Sequence, residues 1–480
     1  MSLGSALNTA KATLSNTALQ SAVVSNNISS ASSTDYNRRA AITTTNASTG
    51  AITVKVERAE DTALLKQTLA ASSDDAGKQK FLDGMNSLSV VLGGEEYSAA
   101  PSTYLATLQN SLQNYAASPS DVTLASAVIS ASTDVANALN TSTQSVQQLR
   151  ADADTEIATT VKTLNQLLSD FEKANNAVKS ATAQGSDPNN ALDQREGLLK
   201  QISQIVGIST TVRSNNDVVI YTSDGTTLFE TTARNVSFEP QAAYDANSVG
   251  NSLYIDGVAV KTGSGSNTNA KGSLPALLQL RDEVYPSYQS QLDEIARGLI
   301  STFSEKDGSD NPIAGLFTTS DGSDVDFETA EIIPGLAGLL TVSPDAISDP
   351  TKLRDGSIAG DSPNTDGSSG YSDVLYKYIA GMSTQVEFDP KAGISTNASL
   401  LSFATDSVGW VEEYRSNATS AAENTSAMLT KSKEAYSNAT GVNLDEELIQ
   451  LLDIEQSYKA AAKLMSTVDD LLKTLMEAAN

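Results

Sequence analysis

Acidic side chains are the residues of this sequence that could support the widest range of chemistry. Two short clusters of oxygen-bearing side chains offer the ligands that calcium prefers. The clusters are Asp307, Asp310 and Asn311, and Asp321, Asp324 and Asp326. Neither has the spaced glycine and closing glutamate of an EF-hand loop. We therefore interpret both clusters as solvated turns and predict no metal site there.

Two further motifs bear on cofactor binding and catalysis. Gly263 and Gly265 follow a predicted strand that ends at Val260, but no third glycine completes a dinucleotide fingerprint. Asp193 and Arg195 could be taken for a catalytic pair. Because they are two residues apart on a predicted helix, they face different ways, and we interpret them as ion-pair partners of neighbouring helices.

The chain has no cysteine and no histidine among its 480 residues. This excludes disulfides, Cys/His metal sites, thiol nucleophiles and histidine acid-base catalysis. A carboxylate pair for glycoside cleavage stays open, because 58 acidic residues allow many pairs in space, but the sequence singles none out. We predict no catalytic, metal-binding or cofactor-binding residue, and no cofactor.

Charge and hydropathy limit the possible partners. With 58 acidic and 31 basic residues the net charge is −27, which opposes binding to nucleic acid or to an anionic membrane. No apolar run approaches the roughly 20 residues that span a bilayer, and no basic start precedes an apolar core. We therefore expect no membrane insertion and no cleavable signal peptide.

The first 34 residues carry one charged side chain, Lys11, and yet keep a regular apolar spacing. Steps of four and three residues define a heptad stripe. Its members are Leu3, Leu7, Ala10, Leu14, Val24 and Ile28. A lone helix cannot bury such a stripe, and a face without charge is usually covered. The pattern predicts a partner, either elsewhere in this chain or in another subunit.

A second heptad pattern runs from Leu444 to Met476, with one shift of frame near Met465. Its members are Leu444, Leu448, Leu451, Tyr458, Ala462, Met465, Val468, Leu472 and Leu475. Asn443 stands at the position of a helix cap. Both termini are therefore predicted to be amphipathic helices, and because chain ends are where fraying is commonest, we interpret them as segments that order when subunits assemble.

Helical and alternating patterns follow one another between the termini. A linker containing Tyr36, Arg38 and Arg39 leads into alternating residues up to Val56, which predict a hairpin. Helical spacing covers residues 60–92, 101–182, 192–206, 274–303 and 399–436. Short strands are predicted between Ile208 and Val260, at 218–222, 227–229, 236–238 and 253–255, separated by Asp-Gly and Asn-rich turns.

These patterns predict an α+β, mainly α, fold. We expect a long-helix bundle with paired N- and C-terminal coiled-coil helices and an inserted small β domain. Residues 1–60 and 440–480 would be the terminal assembly helices with the linker and hairpin. Residues 61–207 and 273–439 would form a helical core domain with a loop-rich segment at 304–385, and residues 208–272 the β domain.

Several phrases together resemble the bacterial flagellar axial proteins and, among them, the family of hook-associated protein 1. The axial-protein motif is residues 6–11, ALNTAK, with Asn26, Asn27 and Ile28. The narrower phrases are 192–199, LDQREGLL; 272–274, GSL; 280–284, LRDEV; 292–296, LDEIA; 441–448, GVNLDEEL; and 456–463, QSYKAAAK. The resemblance runs nearly end to end and adds Asn27, Tyr36 and Arg38 to the candidate functional residues.

The resemblance implies a structural subunit of the flagellum, active in motility and flagellum assembly, that joins hook to filament at the hook-filament junction. It implies type III export without a cleaved signal, an extracellular location, and an export chaperone on the C-terminal helix. The other implied partners are the hook protein, the second hook-filament junction protein and like subunits in a ring. Before Tyr36 the chain departs from the family's Thr-Pro-Gly-Tyr turn, with Thr34 and Asp35 in place of Pro and Gly.

Two alternatives stay open. Another flagellar axial protein, of the hook or second-junction type, would lack the 193–199 phrase in this context. A secreted cell-wall hydrolase would need an essential carboxylate pair or a Ser-Lys dyad in a cleft.

Overall fold

The computed structural model describes residues 3–45, 52–323, 325–327 and 329–479, with the backbone alone at Leu3, Thr45, Ile52, Thr53 and Ala479. The chain divides into two compact units. The first unit comprises Met1–Ser73, Leu164–Asn235 and Thr425–Asn480. The second comprises Asp74–Thr163 and Val236–Asn424.

Helices make up most of the described residues, which confirms the predicted mainly α fold. In chain order they are α1 (Leu3–Ser30), α2 (Thr62–Val91), α3 (Pro101–Ala117), α4 (Val122–Gln184), α5 (Asn189–Ile205), α6 (Ser273–Gln279), α7 (Tyr285–Thr302), α8 (Leu336–Leu339), α9 (Pro344–Ser348), α10 (Lys352–Asp355), α11 (Asp373–Ser383), α12 (Leu400–Thr440) and α13 (Leu444–Ala479). A π-helical turn, Leu280–Val284, connects α6 to α7.

The strands are short. In chain order they are β1 (Arg39–Thr45), β2 (Ile52–Arg58), β3 (Ile208–Val212), β4 (Val218–Thr222), β5 (Thr227–Phe229), β6 (Val236–Ser237), β7 (Tyr254–Ile255), β8 (Val258–Ala259), β9 (Glu305–Lys306), β10 (Pro312–Ile313), β11 (Phe317–Thr319), β12 (Leu340–Val342), β13 (Gln385–Glu387) and β14 (Asn397–Ser399). Every strand pair among them is antiparallel.

Residues 208–272, for which we predict one inserted β domain, contain two separate three-stranded sheets. The order of the first is β3-β4-β5, and that of the second is β6-β7-β8. The first sheet belongs to the first unit and the second sheet to the second unit. The division of the chain into a terminal part, a helical core and a β domain stays a prediction.

The predicted hairpin is formed by β1 and β2, whose register pairs Arg39 with Arg58, while the predicted residues 46–51 lie outside the described range. Side chains directly opposite each other in an antiparallel pair lie on the same face. The two guanidinium groups at the open end of the hairpin are therefore presented side by side.

The core of the first unit forms where α4 and α5 meet the β3-β4-β5 sheet. Phe171 of α4 packs edge-to-face on Phe229 of β5, with 5.0 Å between the ring centroids. Ile202 of α5 and the β4 residues Val219 and Ile220 are fully buried. Because adjacent residues of a strand point to opposite faces, the burial of both Val219 and Ile220 shows that β4 is covered on both sides.

Helix α7 lies at the centre of the second unit, and 13 of its 18 residues are buried. At its carboxyl end Phe303 contacts Phe317 and Tyr378, with ring centroids 5.3 and 4.9 Å away. Phe388 and Phe403 stack at 4.0 Å. Aromatic contacts of this kind supply much of the apolar burial in a chain that is poor in aromatic residues.

The charged side chains of α7 are buried with partners. Asp293 accepts hydrogen bonds from the backbone N–H groups of Gly335 and Ala337 at the start of α8, both at 2.9 Å. Burial raises the pKa of Asp293 to about 6 despite these bonds. Glu294 receives two hydrogen bonds from Arg297, at 2.7 and 2.9 Å. These partners compensate for part of the cost of removing the charges from water.

One helix among the described residues, α4, is long and apolar enough to cross a membrane by length and composition. A buried core helix passes the same test. Because Val128, Val135 and Leu139 of α4 are fully buried within the protein, we interpret it as a core helix.

Candidate assembly site

The two terminal helices, α1 and α13, pack against each other as an antiparallel pair. Asn27, near the end of α1, is hydrogen-bonded to Glu447, near the start of α13. In the middle of the pair, Thr17 and Ser21 of α1 line a groove together with Ile454 of α13. This confirms the predicted pairing of the N- and C-terminal helices.

The buried face of α1 follows the predicted frame. Ala10, Thr17 and Val24, at seven-residue steps, are buried, and Asn27 is fully buried. Among the other predicted residues, Leu7, Leu14 and Ile28 are half-buried, and the side chain of Leu3 lies outside the described residues. The uncharged stripe of α1 therefore faces α13 in the folded chain.

The buried face of α13 follows a different line from the predicted one. Four residues at seven-residue steps are buried: Glu447, Ile454, Ala461 and Val468. Of these the sequence prediction contains Val468 alone. Because the line keeps one frame, pairing with α1 requires no shift near Met465.

Most of the predicted leucine stripe of α13 is exposed. Leu451 and Met465 are half-buried beside the buried line. The exposed members of the predicted set are Leu444, Leu448, Tyr458, Ala462, Leu472 and Leu475. Their exposed fractions include 50% at Leu448 and 66% at Leu475. The helix has one apolar face that α1 covers and other apolar positions that no described residue covers.

The start of α13 is fixed by its cap and by the linker. The Oδ1 atom of Asn443 accepts a hydrogen bond from the N–H group of Asp445 at 3.1 Å, which confirms the predicted cap. The N–H group of Arg38 donates to the carbonyl oxygen of Thr440 at 2.8 Å, just before α13.

Asn27 is the central hydrogen-bonding residue of the linker. Its Nδ2 atom donates to Glu447 Oε2 at 2.9 Å and to the carbonyl oxygen of Arg39 at 2.8 Å. Its Oδ1 atom accepts from the Tyr36 hydroxyl at 2.7 Å and from the Arg39 N–H group at 3.0 Å. The amide therefore makes its full set of four hydrogen bonds in a site where an unpaired polar group would be costly.

Tyr36 and Arg38, the predicted linker residues, both contact this centre. Arg38 Nε donates to Glu447 Oε1 at 2.7 Å, so the fully buried carboxylate is paired with a cation. Burial raises the pKa of the Tyr36 hydroxyl, although the nearby Arg39 guanidinium lowers it. The hydroxyl accordingly stays protonated and able to donate to Asn27.

The hairpin is held to α5 by two arginines and two acids. Arg39 Nη2 lies 2.8 Å from Asp193 Oδ2, and Arg58 Nε lies 2.7 Å from Asp193 Oδ1. Arg58 also donates twice to Glu196, at 2.8 and 2.7 Å. Burial lowers the pKa of Arg58, but the hydrogen bonds and charges of Glu196 and Asp193 outweigh it and leave the pKa raised.

Tyr436 of α12 closes the cluster. Its hydroxyl donates to Glu196 Oε2 at 2.7 Å and accepts from Asn37 Nδ2 at 2.8 Å. Burial, followed by the Glu196 charge, raises the pKa of this hydroxyl. Through these contacts the linker, the hairpin, α5, α12 and α13 are joined by one network, which we call the linker cluster.

The prediction that Asp193 and Arg195 form ion pairs with neighbouring helices is wrong in two respects: Asp193 is ion-paired with a hairpin, and the partners of Arg195 are neutral. Asp193 binds the two hairpin arginines. Arg195 donates to Asn175 Oδ1 of α4 at 3.0 Å and to the carbonyl oxygen of Asn216. Burial lowers its pKa to about 10, since no carboxylate accepts from it directly.

The remaining sequence motifs are structural where they are described. Asp307 accepts hydrogen bonds from the N–H groups of Ser309 and Asn311, which is the pattern of a turn. Asp324 lies outside the described residues. A side chain at Gly263 would meet Gln279 at 2.5 Å, so this glycine allows close packing on α6. The described residues contain no group of three potential metal ligands.

Two family models of flagellar proteins match parts of the chain. A family model described as the flagellar hook-associated protein FlgK helical domain matches residues 85–310. A second, described as the flagellar basal body rod FlgEFG protein C-terminal, matches residues 433–478. In these two regions the chain is similar to bacterial flagellar axial proteins.

Within that class the chain is similar to several proteins named flagellar hook-associated protein 1. It is 25% identical to the Bacillus subtilis protein of that name over 76% of this chain and 73% of the relative. It is 26% identical to the Escherichia coli protein over 62% of this chain and 55% of the relative, and thus spans little more than half of the latter. The flagellar hook junction protein FlgK from Burkholderia pseudomallei matches with a TM-score of 0.43 and 21% identity, over 53% of this chain and 46% of that one.

Proposed function

We propose that this chain is a structural subunit that joins hook to filament by self-assembly through α1 and α13. The observation that supports this most directly is the apolar surface that α13 leaves exposed after it has paired with α1. Leu444, Leu448 and Leu452 lie at four-residue steps and are 47%, 50% and 58% exposed. Residues with this spacing form one continuous strip along a helix.

Covering this strip would release considerable free energy. Full burial of one leucine side chain is worth about 1.5–3 kcal/mol, and these leucines are about half exposed. Isolated exposed leucines are ordinary, but an aligned set on a terminal helix is typical of an interaction surface. We infer that subunits in the assembled state cover it.

The distribution of charge favours contact between like subunits at this end of the chain. The whole chain carries a net charge of −27, which makes most surfaces of two copies repel. Residues 1–34 contain Lys11 as their one basic residue before the linker, and α1 contains no acidic residue. Two copies can therefore approach through α1 with less repulsion than elsewhere, whereas α13 carries eight acidic and three basic residues and has no such advantage.

The more specific roles rest on the family resemblance. We propose the hook protein, the second hook-filament junction protein and like subunits in a ring as partners in the assembled flagellum. We also propose an export chaperone that binds α13 before assembly, with type III export to an extracellular location. The exposed residues of α13 are available to the chaperone and to the later subunits in turn.

We propose no catalysis. Asp193 and Glu196, the carboxylates of the phrase 192–199, are both held by arginines. Asp293 and Glu294 are buried, at 1% and 0% exposure. Wall digestion by the purified chain, abolished by a single acidic substitution, would support the alternative of a cell-wall hydrolase.

The test is incorporation into isolated hooks stripped of filament. Tagged full-length protein is compared with a deletion of residues 1–34 and with the double variant Leu448→Gln and Leu452→Gln, and the tag is located by electron microscopy. We expect label at hook tips for the full-length protein and little or none for either variant. Circular dichroism should show the double variant folded.

Lys459→Gln, an exposed polar change on the same helix, is the matched control and should incorporate normally. Normal incorporation of the deletion would contradict the role of α1. Label along hook shafts would favour another axial protein over a junction subunit.

A further inference from the structure

A cavity of about 320 Å³ lies beneath the linker in the first unit. Its walls come from the linker, α2, α5 and α12. The residues that concern its chemistry are Asp35, Ser72, Lys200, Lys433, Tyr436 and Ser437. The cavity is within the size range of pockets that hold small organic ligands or short peptide segments.

Two ammonium groups and one carboxylate line the cavity. Lys200 Nζ lies 3.2 Å from Asp35 Oδ1 and 3.1 Å from the carbonyl oxygen of Thr34, and it sits 5.7 Å from the ring centroid of Tyr436. Lys433 is an exposed side chain of the lining, and in the part of the chain that the structure describes its ammonium group has no carboxylate within 4 Å. The lining therefore keeps an excess positive charge in a protein whose net charge is −27.

A serine hydroxyl at the cavity also lacks a hydrogen-bond partner among the described residues. Ser72 is 4% exposed, and within the described residues its Oγ atom makes no hydrogen bond. Serine in a helix usually donates back to a carbonyl oxygen one turn earlier, as Thr68 does to Leu64 in the same helix. The hydroxyl of Ser72 is thus free to donate to something inside the cavity.

The available groups define the chemistry of a ligand. Two ammonium groups and the hydroxyl of Ser72 are donors, so the ligand must supply acceptors with negative charge. The rings of Tyr36 and Tyr436 and the side chain of Val442 provide apolar walls, which suit methylene groups better than a bare inorganic ion. A carboxylate on a short apolar stem fits both requirements.

We propose that this cavity binds the acidic side chains of a peptide segment, with Lys433 and Ser72 donating to a carboxylate and Lys200 supplying the second positive charge. The segment would come from a second copy of this chain, whose net charge of −27 supplies the acidic side chains. The inference goes beyond the junction role and does not depend on it.

Isothermal titration calorimetry on the full-length chain tests the proposal. The probe is N-acetyl-Asp-Glu-amide, and its neutral isostere N-acetyl-Asn-Gln-amide is the control ligand. We expect the acidic dipeptide to bind with a dissociation constant below about 1 mM at low salt and more weakly at high salt. The neutral dipeptide should not bind measurably.

Three variants locate the site. Lys433→Met should weaken binding about tenfold or more, because it removes a charge-assisted hydrogen bond but keeps the side-chain length. Ser72→Ala should weaken it severalfold. Lys431→Met, an exposed lysine of α12 that does not line the cavity, is the matched control and should bind like the parent chain.

Equal binding of both dipeptides, or unchanged binding by Lys433→Met, would overturn the proposal. Free glutarate binding as tightly as the acidic dipeptide would overturn the assignment to a peptide in favour of a small dicarboxylate. Tag incorporation at hook tips tests the junction role separately, so the two can fail independently.

Discussion

Helices α7 and α13 are both amphipathic, but the chain covers them very differently. In α7, 13 of 18 residues are buried by the second unit itself. In α13, four described side chains are buried, and leucines such as Leu448 and Leu475 are half exposed or more. The apolar surface of α7 is buried by the same chain, so this helix stabilises the fold. The apolar surface of α13 stays partly exposed, and we infer that another molecule covers it.

The two helices also differ in how they treat charge. Glu294 and Arg297 of α7 pair with each other inside the second unit, three residues apart in sequence. Glu447 of α13 pairs with Arg38, which is 409 residues away. The first pair can form as soon as α7 is folded and packed. The second pair can form only when the two ends of the chain have come together.

The largest effect should follow from breaking the buried pair of α7. Arg297→Ala leaves the Glu294 carboxylate buried without its cation, so we expect the free energy of unfolding to fall by about 3–5 kcal/mol. Urea denaturation measures it. The matched control is Arg415→Ala, because Arg415 and Glu412 form the same i,i+3 pair, at 2.8 Å, at a half-exposed site. There the loss should stay within about 1 kcal/mol, and equal losses would contradict the comparison.

A pH titration tests the buried carboxylate of the same helix. The pKa of Asp293 rises from 3.8 to about 6 on folding. Its contribution to stability is therefore complete below pH 3.8 and is lost as the pH rises through 6. Relative to Asp293→Asn, the free energy of unfolding of the wild-type chain should fall by up to about 3 kcal/mol between pH 4 and pH 7, as measured by urea denaturation. A difference that does not vary with pH would refute the buried-carboxylate assignment.

A smaller effect is expected where α13 meets the linker cluster. Glu447→Ala leaves Asn27 and Arg38 without their acceptor, and we expect the stability of the terminal pair to fall by about 2 kcal/mol. Hydrogen exchange of the α1 and α13 amides should become faster while exchange in α7 is unchanged. Glu446→Ala, the exposed neighbour, is the control and should leave exchange unaltered.

The smallest effect on folding is expected on the exposed face of α13. Leu448→Gln should change the free energy of unfolding by less than about 0.5 kcal/mol, because its side chain is already half in water. Ile454→Ala, on the face covered by α1, should cost about 2–4 kcal/mol in the same denaturation experiment. Similar losses at both positions would mean that α13 has no free apolar face.

The sequence predicted local features better than distant ones. The strands 218–222 and 227–229 have the predicted bounds, since alternation and Asp-Gly turns are local signals. The frame of α1 was also correct. On α13 we predict that the leucine stripe is the buried face, but most of it is exposed. A sequence pattern cannot tell whether large apolar residues are covered by the same chain or by a partner.

Burial of charge could not be read from the sequence. In the sequence, Glu447 is one of three acidic residues in the first turn of α13. Its role depends on Asn27 and Arg38, which only folding brings close to it. The sequence identified Tyr36 and Arg38 as linker residues, but it did not predict which residues they contact. The separation of residues 208–272 into two sheets likewise depends on which helices each sheet covers.

The hydrogen bond between Asn27 and Glu447 joins residues that are 420 positions apart. At ribosomal rates of about 5–20 residues per second, α1 waits roughly 20 to 80 s before its partner helix has been synthesised. During that time its stripe has nothing to pair with, and closure of so long a loop makes the final pairing slow. The serine, threonine and asparagine side chains of α1 keep this segment hydrated until α13 has been synthesised. The polar composition of α1 therefore protects the nascent chain from aggregation as well as serving the folded protein.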